Sequence, residues 1–255
     1  MLRDAWRLSL GTLTAVPVRS PQAVDRRRAG TAMLLAPLAV LPLGLAVALV
    51  AAAGRLATLP ETVTALLAIG AVILGNRALH LDGLSDVTDG LTASFDRERS
   101  LEVMKSGTSG PAGVVATVLV VGLQVAALAA VLGSSRPYRD AVLAGVVVCV
   151  SRAALVICCT RGVRPARADG LGLTFTQTVE RPATAAVWVG VAALLSALAA
   201  WTGLPWWRGI VAVAVALVVL ALLVARTVSR FGGVTGDVFG AAVELAFAAL
   251  LVALS

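Results

Sequence analysis

Residues 112–133 read AGVVATVLVVGLQVAALAAVLG, a run without a single charged side chain. As a helix rising about 1.5 Å per residue it would extend roughly 33 Å, enough to cross a hydrocarbon layer of about 30 Å. Outward from it, six further apolar segments can be marked, near 31–53, 62–81, 140–160, 183–203, 208–229 and 238–254. Ala, Leu and Val fill them without the alternation of a membrane strand, so they predict helices and not a barrel. Composition agrees: 59% of the 255 residues are hydrophobic and 14% charged, with a mean hydropathy of +0.94. A soluble domain of this length does not carry that balance. The expectation is an all-α, polytopic integral membrane bundle of about seven transmembrane helices, six if the short 238–254 segment does not fully span. Residues 1–255 form one domain. Pro37 and Pro42 should bend the first segment.

The first 30 residues are basic and mixed, without the short apolar core and cleavage site of a signal peptide. Sixteen of the 21 Lys and Arg residues fall on one side of the expected spans, four on the other and Arg152 within a span. That bias predicts a cytoplasmic amino terminus in a cell membrane. The net charge of +7 is then read as orientation and attraction of phosphate-bearing substrates, not nucleic-acid binding. Cys149, Cys158 and Cys159 show no metal-ligand spacing and read as buried thiols.

Chemistry concentrates at one boundary. His80–Gly90, HLDGLSDVTDG, sets Asp82, Asp86 and Asp89 at i, i+4 and i+7, within about 60° on one helical face. Carboxylates so crowded repel one another unless a cation sits among them. Oxygen donors without Cys or His favour Mg²⁺, with Mn²⁺ as a substitute, over zinc. A second block, Phe231–Glu244 (FGGVTGDVFGAAVE), meets the same boundary and offers Asp237 as a fourth ligand. Glu244 and Arg152 are intramembrane charges, each costly without a partner or water. Arg152 suits either an ion pair with Glu244 or a substrate phosphate. Asn76 sits just before the acidic block. Arg161 and Arg167, in RGVRPARADGLG, and Lys105, in KSGTSGPAG, are candidate phosphate contacts. Neither segment has the Walker A spacing. His80, the only histidine, lies nearly opposite the aspartate face. The active face should be built by loops around 80–111, 161–182 and 230–240.

These blocks, with LTAVPV (Leu13–Val18), DRERSLEVMKSGTSGPAG behind the acidic run and Ser151-Arg152 in an apolar helix, resemble the cobalamin synthase family of adenosylcobinamide-GDP ribazoletransferases over nearly the whole chain. Where members often read LADTADG this chain has LSDVTDG, and the Asp spacing survives. The loop after Met104-Lys105 is more glycine-rich than the family's. The resemblance implies a membrane transferase whose partners are adenosylcobinamide-GDP, α-ribazole or its 5′-phosphate, and the bilayer, with GMP as the leaving product. The attacking ribose hydroxyl then needs a base or a metal, and Asp82 is the favoured base, or ligand to a metal-bound alkoxide, with His80 in support. Two other readings stand beside it. DVTDGLTA (Asp86–Ala93) matches the first half of the CDP-alcohol phosphotransferase pattern, but the second half does not follow. A cation-coupled transporter would need midplane acids, whereas these gather at one end.

Overall fold

The computed structural model describes residues 1–133 and 136–255, and these form fourteen helices and no strand. In chain order they are α1 (Leu2–Leu13), α2 (Arg26–Leu34), α3 (Ala36–Ala39), α4 (Leu41–Leu56), α5 (Glu61–Gly75), α6 (Leu79–Ala93) and α7 (Arg97–Val103). Then follow α8 (Pro111–Leu132), α9 (Pro137–Ser151), α10 (Ala154–Cys158), α11 (Gly170–Phe175), α12 (Arg181–Thr202), α13 (Trp207–Phe231) and α14 (Gly236–Leu254).

Local sequence explains many of the ends. Proline stands in the first turn of α8, α9 and α12, where its missing N–H would have no helical partner. The first apolar segment is broken as its prolines require: Pro37 opens α3 and Pro42 opens α4. Asp25 caps α2 by accepting the Arg28 N–H at 2.7 Å. That backbone hydrogen bond holds the Asp25 carboxyl below the usual range.

Among the described residues, five stretches are long and apolar enough to cross a membrane: α8, α9 with α10, α12, α13 and α14. The protein is thus a multi-pass helical bundle. The two remaining expected spans are present as the shorter helices α4 and α5, of 16 and 15 residues. The segment expected over 62–81 differs in one respect. It stops at Gly75, and the chain turns by 88° before α6 begins. Arg77 and Ala78 adopt left-handed φ values of 60° and 56°, which end a right-handed helix. The turn is tied to the amino-terminal segment, since Ala15 donates its N–H to Gly75 O at 2.7 Å and Arg77 Nη2 donates to Gly11 O at 3.2 Å.

The bundle is sorted by burial. Within the apolar windows, 83% of the α9–α10 stretch and 78% of α14 is enclosed by protein, against 28–33% for α8, α12 and α13. The short last segment is therefore a central helix. The outer helices show Val115, Val118, Leu119, Val189 and Leu222 on their open faces, the surface a lipid-facing helix needs. The three cysteines are free and buried.

α4 and α9 meet at two glycines: a Cβ on Gly44 would lie 2.6 Å from Gly145 O. Small residues let helix backbones approach where no hydrophobic force separates helix from lipid. Replacing Gly145 by Val should cost about 1–3 kcal/mol by overpacking. A thermal-shift measurement in detergent should show a lower midpoint, while a variant at Gly122, which meets nothing within 4 Å, should leave it unchanged.

Candidate active site

Helix α6 carries three aspartates on one face, and two glycines decide what that face meets. A Cβ on Gly83 would fall 2.6 Å from Asp237 O, and one on Gly240 would fall 2.9 Å from His80 O. The α6 and α14 backbones therefore touch, and Asp82 and Asp86 come beside Asp237 at the start of α14. Asp82 is exposed and Asp86 half-buried. Asp86 faces the like charges of Asp82, Asp237 and Asp89, with Arg167 as the opposing charge. Thr235 caps α14 and donates its hydroxyl to Asp237 Oδ2 at 3.0 Å.

Asp89 has a different partner. It is 7% exposed, and its Oδ2 and Oδ1 accept the N–H groups of Gly110 and Gly113 at 2.7 and 2.8 Å. Its carboxylate thus caps the amino terminus of α8, where unpaired N–H groups and the helix dipole favour a negative charge. Among the described residues, no three His, Cys, Asp or Glu side chains are drawn together as tightly as a bound metal requires. What is present is an electrostatic arrangement: hard oxygen donors of like charge on two helices, incompletely neutralised.

Arg167 is held over these acids by backbone pairing. Val234 donates its N–H to Arg164 O and Ala166 donates to Val234 O, both at 2.9 Å, so the 161–169 loop is laced to the turn before α14. Arg97 adds hydrogen bonds to Phe231 O at 2.7 Å and Ala166 O at 2.8 Å. Arg167 Nη2 donates to Leu101 O at 2.7 Å, and its Nη1 sits 3.9 Å from Asp237 Oδ2. Lys105 Nζ lies 3.2 Å from Asp169 Oδ2 across the mouth. Arg161 stands apart and pairs with Glu180 at 2.8 Å.

Beneath the acids lies a buried polar layer. His80 Nδ1 is 3.2 Å from Asn76 Nδ2 and 3.8 Å from Glu244 Oε1. Gln124 Nε2 donates to Glu244 Oε2 at 2.7 Å. Arg152 is fully buried and donates through Nη1 to Val148 O and Ser151 Oγ at 2.8 and 2.9 Å. It feels the Glu244 charge without forming a direct ion pair among the described residues.

These elements enclose a cleft of about 280 Å³, walled by His80, Asp82, Lys105, Arg167 and Asp237. So five residues singled out in the sequence share one cavity. Asp86, Asp89, Asn76 and Arg152 are not part of its lining, and Asn76 is linked to it through His80. The sequence reading missed other residues of the lining, among them Thr12, Leu13, Met33, Leu155, Phe175 and Phe239. Only LTAVPV hinted at them, because apolar residues in an apolar protein carry no signal of their own.

The family model described as cobalamin-5-phosphate synthase matches residues 5–255. A protein of Nocardioides sp. named adenosylcobinamide-GDP ribazoletransferase is 56% identical over 99% of this chain and 98% of its own. Its namesake in Frankia casuarinae is 37% identical over 98% of this chain and 93% of its own. In Pseudomonas aeruginosa the same name goes with 37% identity over the full length of both chains. No solved structure matches this chain.

The Asp89 cap can be checked directly. In Asp89→Asn one side-chain atom becomes a donor facing a backbone N–H, leaving a buried group unsatisfied at a cost of about 1–3 kcal/mol. Thermal denaturation should register that loss, and hydrogen exchange should speed up at Gly110–Gly113 before it does elsewhere in α8.

Proposed function

The chain belongs to the cobalamin-5-phosphate synthase family, and from that premise we propose that its acidic cleft joins adenosylcobinamide-GDP to ribazole, or ribazole 5′-phosphate, and releases GMP. The observation carrying this is that Asp82, Asp237, His80, Lys105 and Arg167 line one cavity at one end of a membrane bundle. Such a cavity offers a proton acceptor and phosphate-binding cations within the reach of one substrate. The relatives named above lend no support to a CDP-alcohol transferase or a transporter.

In this reading the ribose hydroxyl attacks the corrinoid-side phosphorus of the pyrophosphate. A P–O bond forms to ribose while the bond to the GMP oxygen breaks, and the hydroxyl proton passes to the carboxylate of Asp82. Asp82 is the exposed acid of α6 and needs no other element to present it. His80 supports that face from below, its Nδ1 side held by Asn76 and Glu244. Arg167 and Lys105 meet the phosphates and the departing GMP, since fixed cations stabilise charge that develops in phosphoryl transfer. Arg152 braces the floor.

The donor chemistry suits a hard divalent cation, because Asp82, Asp86 and Asp237 offer only carboxylate oxygens and Arg167 offsets them incompletely. Those three would hold Mg²⁺, or Mn²⁺ in its place, only after drawing closer together than they stand here, while Asp89 remains engaged at the start of α8. A bound ion would supply neutralisation of the pyrophosphate and help ionise the hydroxyl. The basic bias sets this end of the bundle in the cytoplasm, with the amino terminus on the same side of the cytoplasmic membrane.

Purified protein given adenosylcobinamide-GDP, α-ribazole phosphate and Mg²⁺ should release GMP only when the corrinoid is present. Asp82→Asn should lower kcat by roughly 10²–10⁴, the usual worth of a positioned base, and His80→Gln by less; the reverse order would make His80 the base. Asp86→Asn should shift the Mg²⁺ titration to higher concentration, and an unchanged titration would remove Asp86 from the ligand set. Cysteine labelling of Asp96→Cys should succeed from the cytoplasmic side alone.

A further inference from the structure

Helix α1 is too short to cross a membrane, yet one of its sides is built for lipid. Its 12 residues extend about 18 Å, against the roughly 30 Å of a hydrocarbon layer. The inner side is packed: Asp4, Ala5, Ser9 and Leu13 are buried. Asp4, the only acid of the helix, has its Oδ2 3.4 Å from Arg28 Nε. The outer side carries Leu2, Trp6 and Leu10 at every fourth position, which makes one stripe. Leu2 is 64% and Trp6 38% exposed. Arg3 and Arg7 each follow one position on, so a basic stripe runs beside the apolar one, about 100° further round.

Contacts at both ends set the level of α1 in the bundle. The Asp4–Arg28 pair ties its start to α2, just before the apolar segment that begins near residue 31. Beyond its other end, Ala15 donates its N–H to Gly75 O at 2.7 Å, and Gly75 is the last residue of α5. Arg77 Nη2 adds its hydrogen bond to Gly11 O. The helix is thus fastened where two apolar segments stop, and it runs along the boundary of the bundle. An indole ring and guanidinium groups at that level match the headgroup layer, where aromatic rings settle and cations meet phosphate. No acid on the outer side opposes an anionic surface.

We infer that α1 is an interfacial anchor for anionic lipid, with Leu2 and Trp6 seated among the acyl chains and Arg3 and Arg7 on the headgroup phosphates. The leaflet concerned is the one on the acidic side of the bundle. The anchor has a consequence for the site. Thr12 and Leu13, at the end of α1, line the cleft, while Gly11 and Ala15 hold the turn that starts α6. Seating α1 on anionic lipid steadies both, so lipid charge acts on the cleft without entering it. The inference goes beyond the transfer reaction and does not depend on it.

The test uses the full-length protein in vesicles. Cys149, Cys158 and Cys159 are free but buried, so Leu2→Cys takes a bimane label at one position. Brominated acyl chains in the bilayer should quench that label, and more strongly with phosphatidylglycerol present than in phosphatidylcholine alone. The double variant Arg3→Gln/Arg7→Gln, which leaves the apolar stripe intact, should lose the difference between the two lipids. Hydrogen exchange reads the coupling separately: phosphatidylglycerol should slow exchange of the Ala15 N–H about tenfold, and the double variant should not show the slowing. A label beyond the reach of the brominated chains overturns the anchor and leaves the face to a protein partner or a second copy of the chain. Equal quenching in both lipids overturns the recognition of anionic headgroups. Inorganic phosphate added to phosphatidylcholine vesicles should change neither readout, and a change would give the arginines to free phosphate instead. A response to phosphatidylglycerol that persists in the double variant overturns the assignment to Arg3 and Arg7.

Discussion

The contact between α6 and α14 is the constraint on which the site depends. Gly83 and Gly240 leave so little room that a methyl group at either would meet backbone of the other helix. Because the backbones touch, acids from two distant parts of the sequence share one small volume. The 88° turn before α6 is what lets it cross α14 rather than run on from α5. That turn uses two left-handed, non-glycine residues in succession, Arg77 and Ala78, a conformation that surrounding contacts must hold. Hydrogen bonds from the amino-terminal segment to Gly75 and Arg77 provide part of the hold.

The basic residues at the acidic end tie its loops together. Arg97 joins α7 to Phe231 and Ala166, Arg167 joins the 161–169 loop to Leu101, and Arg230 donates to the Ser94 carbonyl. Each guanidinium satisfies backbone carbonyls at helix ends, which otherwise lack partners. The loops around the cleft are thereby tied to the helix ends. A site that handles phosphate gains from this, since its cations are already positioned when substrate arrives.

Below the cleft, Asn76, His80, Gln124, Ser151, Arg152 and Glu244 come from five helical elements or their caps and form one buried polar layer. Buried charges are expensive in a bundle surrounded by lipid. The Glu244 carboxylate is offset by an amide hydrogen bond and by the nearby Arg152 charge. This layer couples the helices that carry the acids to the helices that form the centre of the bundle.

Much of this was legible in the residues themselves. The apolar runs specified helices that cross a membrane, Pro37 and Pro42 marked where the first would break, and the i, i+4, i+7 spacing put Asp82, Asp86 and Asp89 on one face. The family blocks identified the chemistry. Periodicity, however, reports which face a side chain occupies and not what stands opposite. So Asp89 shares its phase with Asp82 and Asp86 yet binds the amino terminus of α8, because only packing decides which neighbour fills that face. Arg152 and Glu244 stood out as charges within spans, but their lack of a direct bond depends on rotamers and helix placement. The apolar lining of the cleft was silent for a simpler reason. Leu13, Met33, Phe175 and Phe239 are ordinary residues in a hydrophobic chain, and they become a cavity wall only where α1, α2, α11 and α14 converge, a meeting set by contacts among residues far apart in sequence.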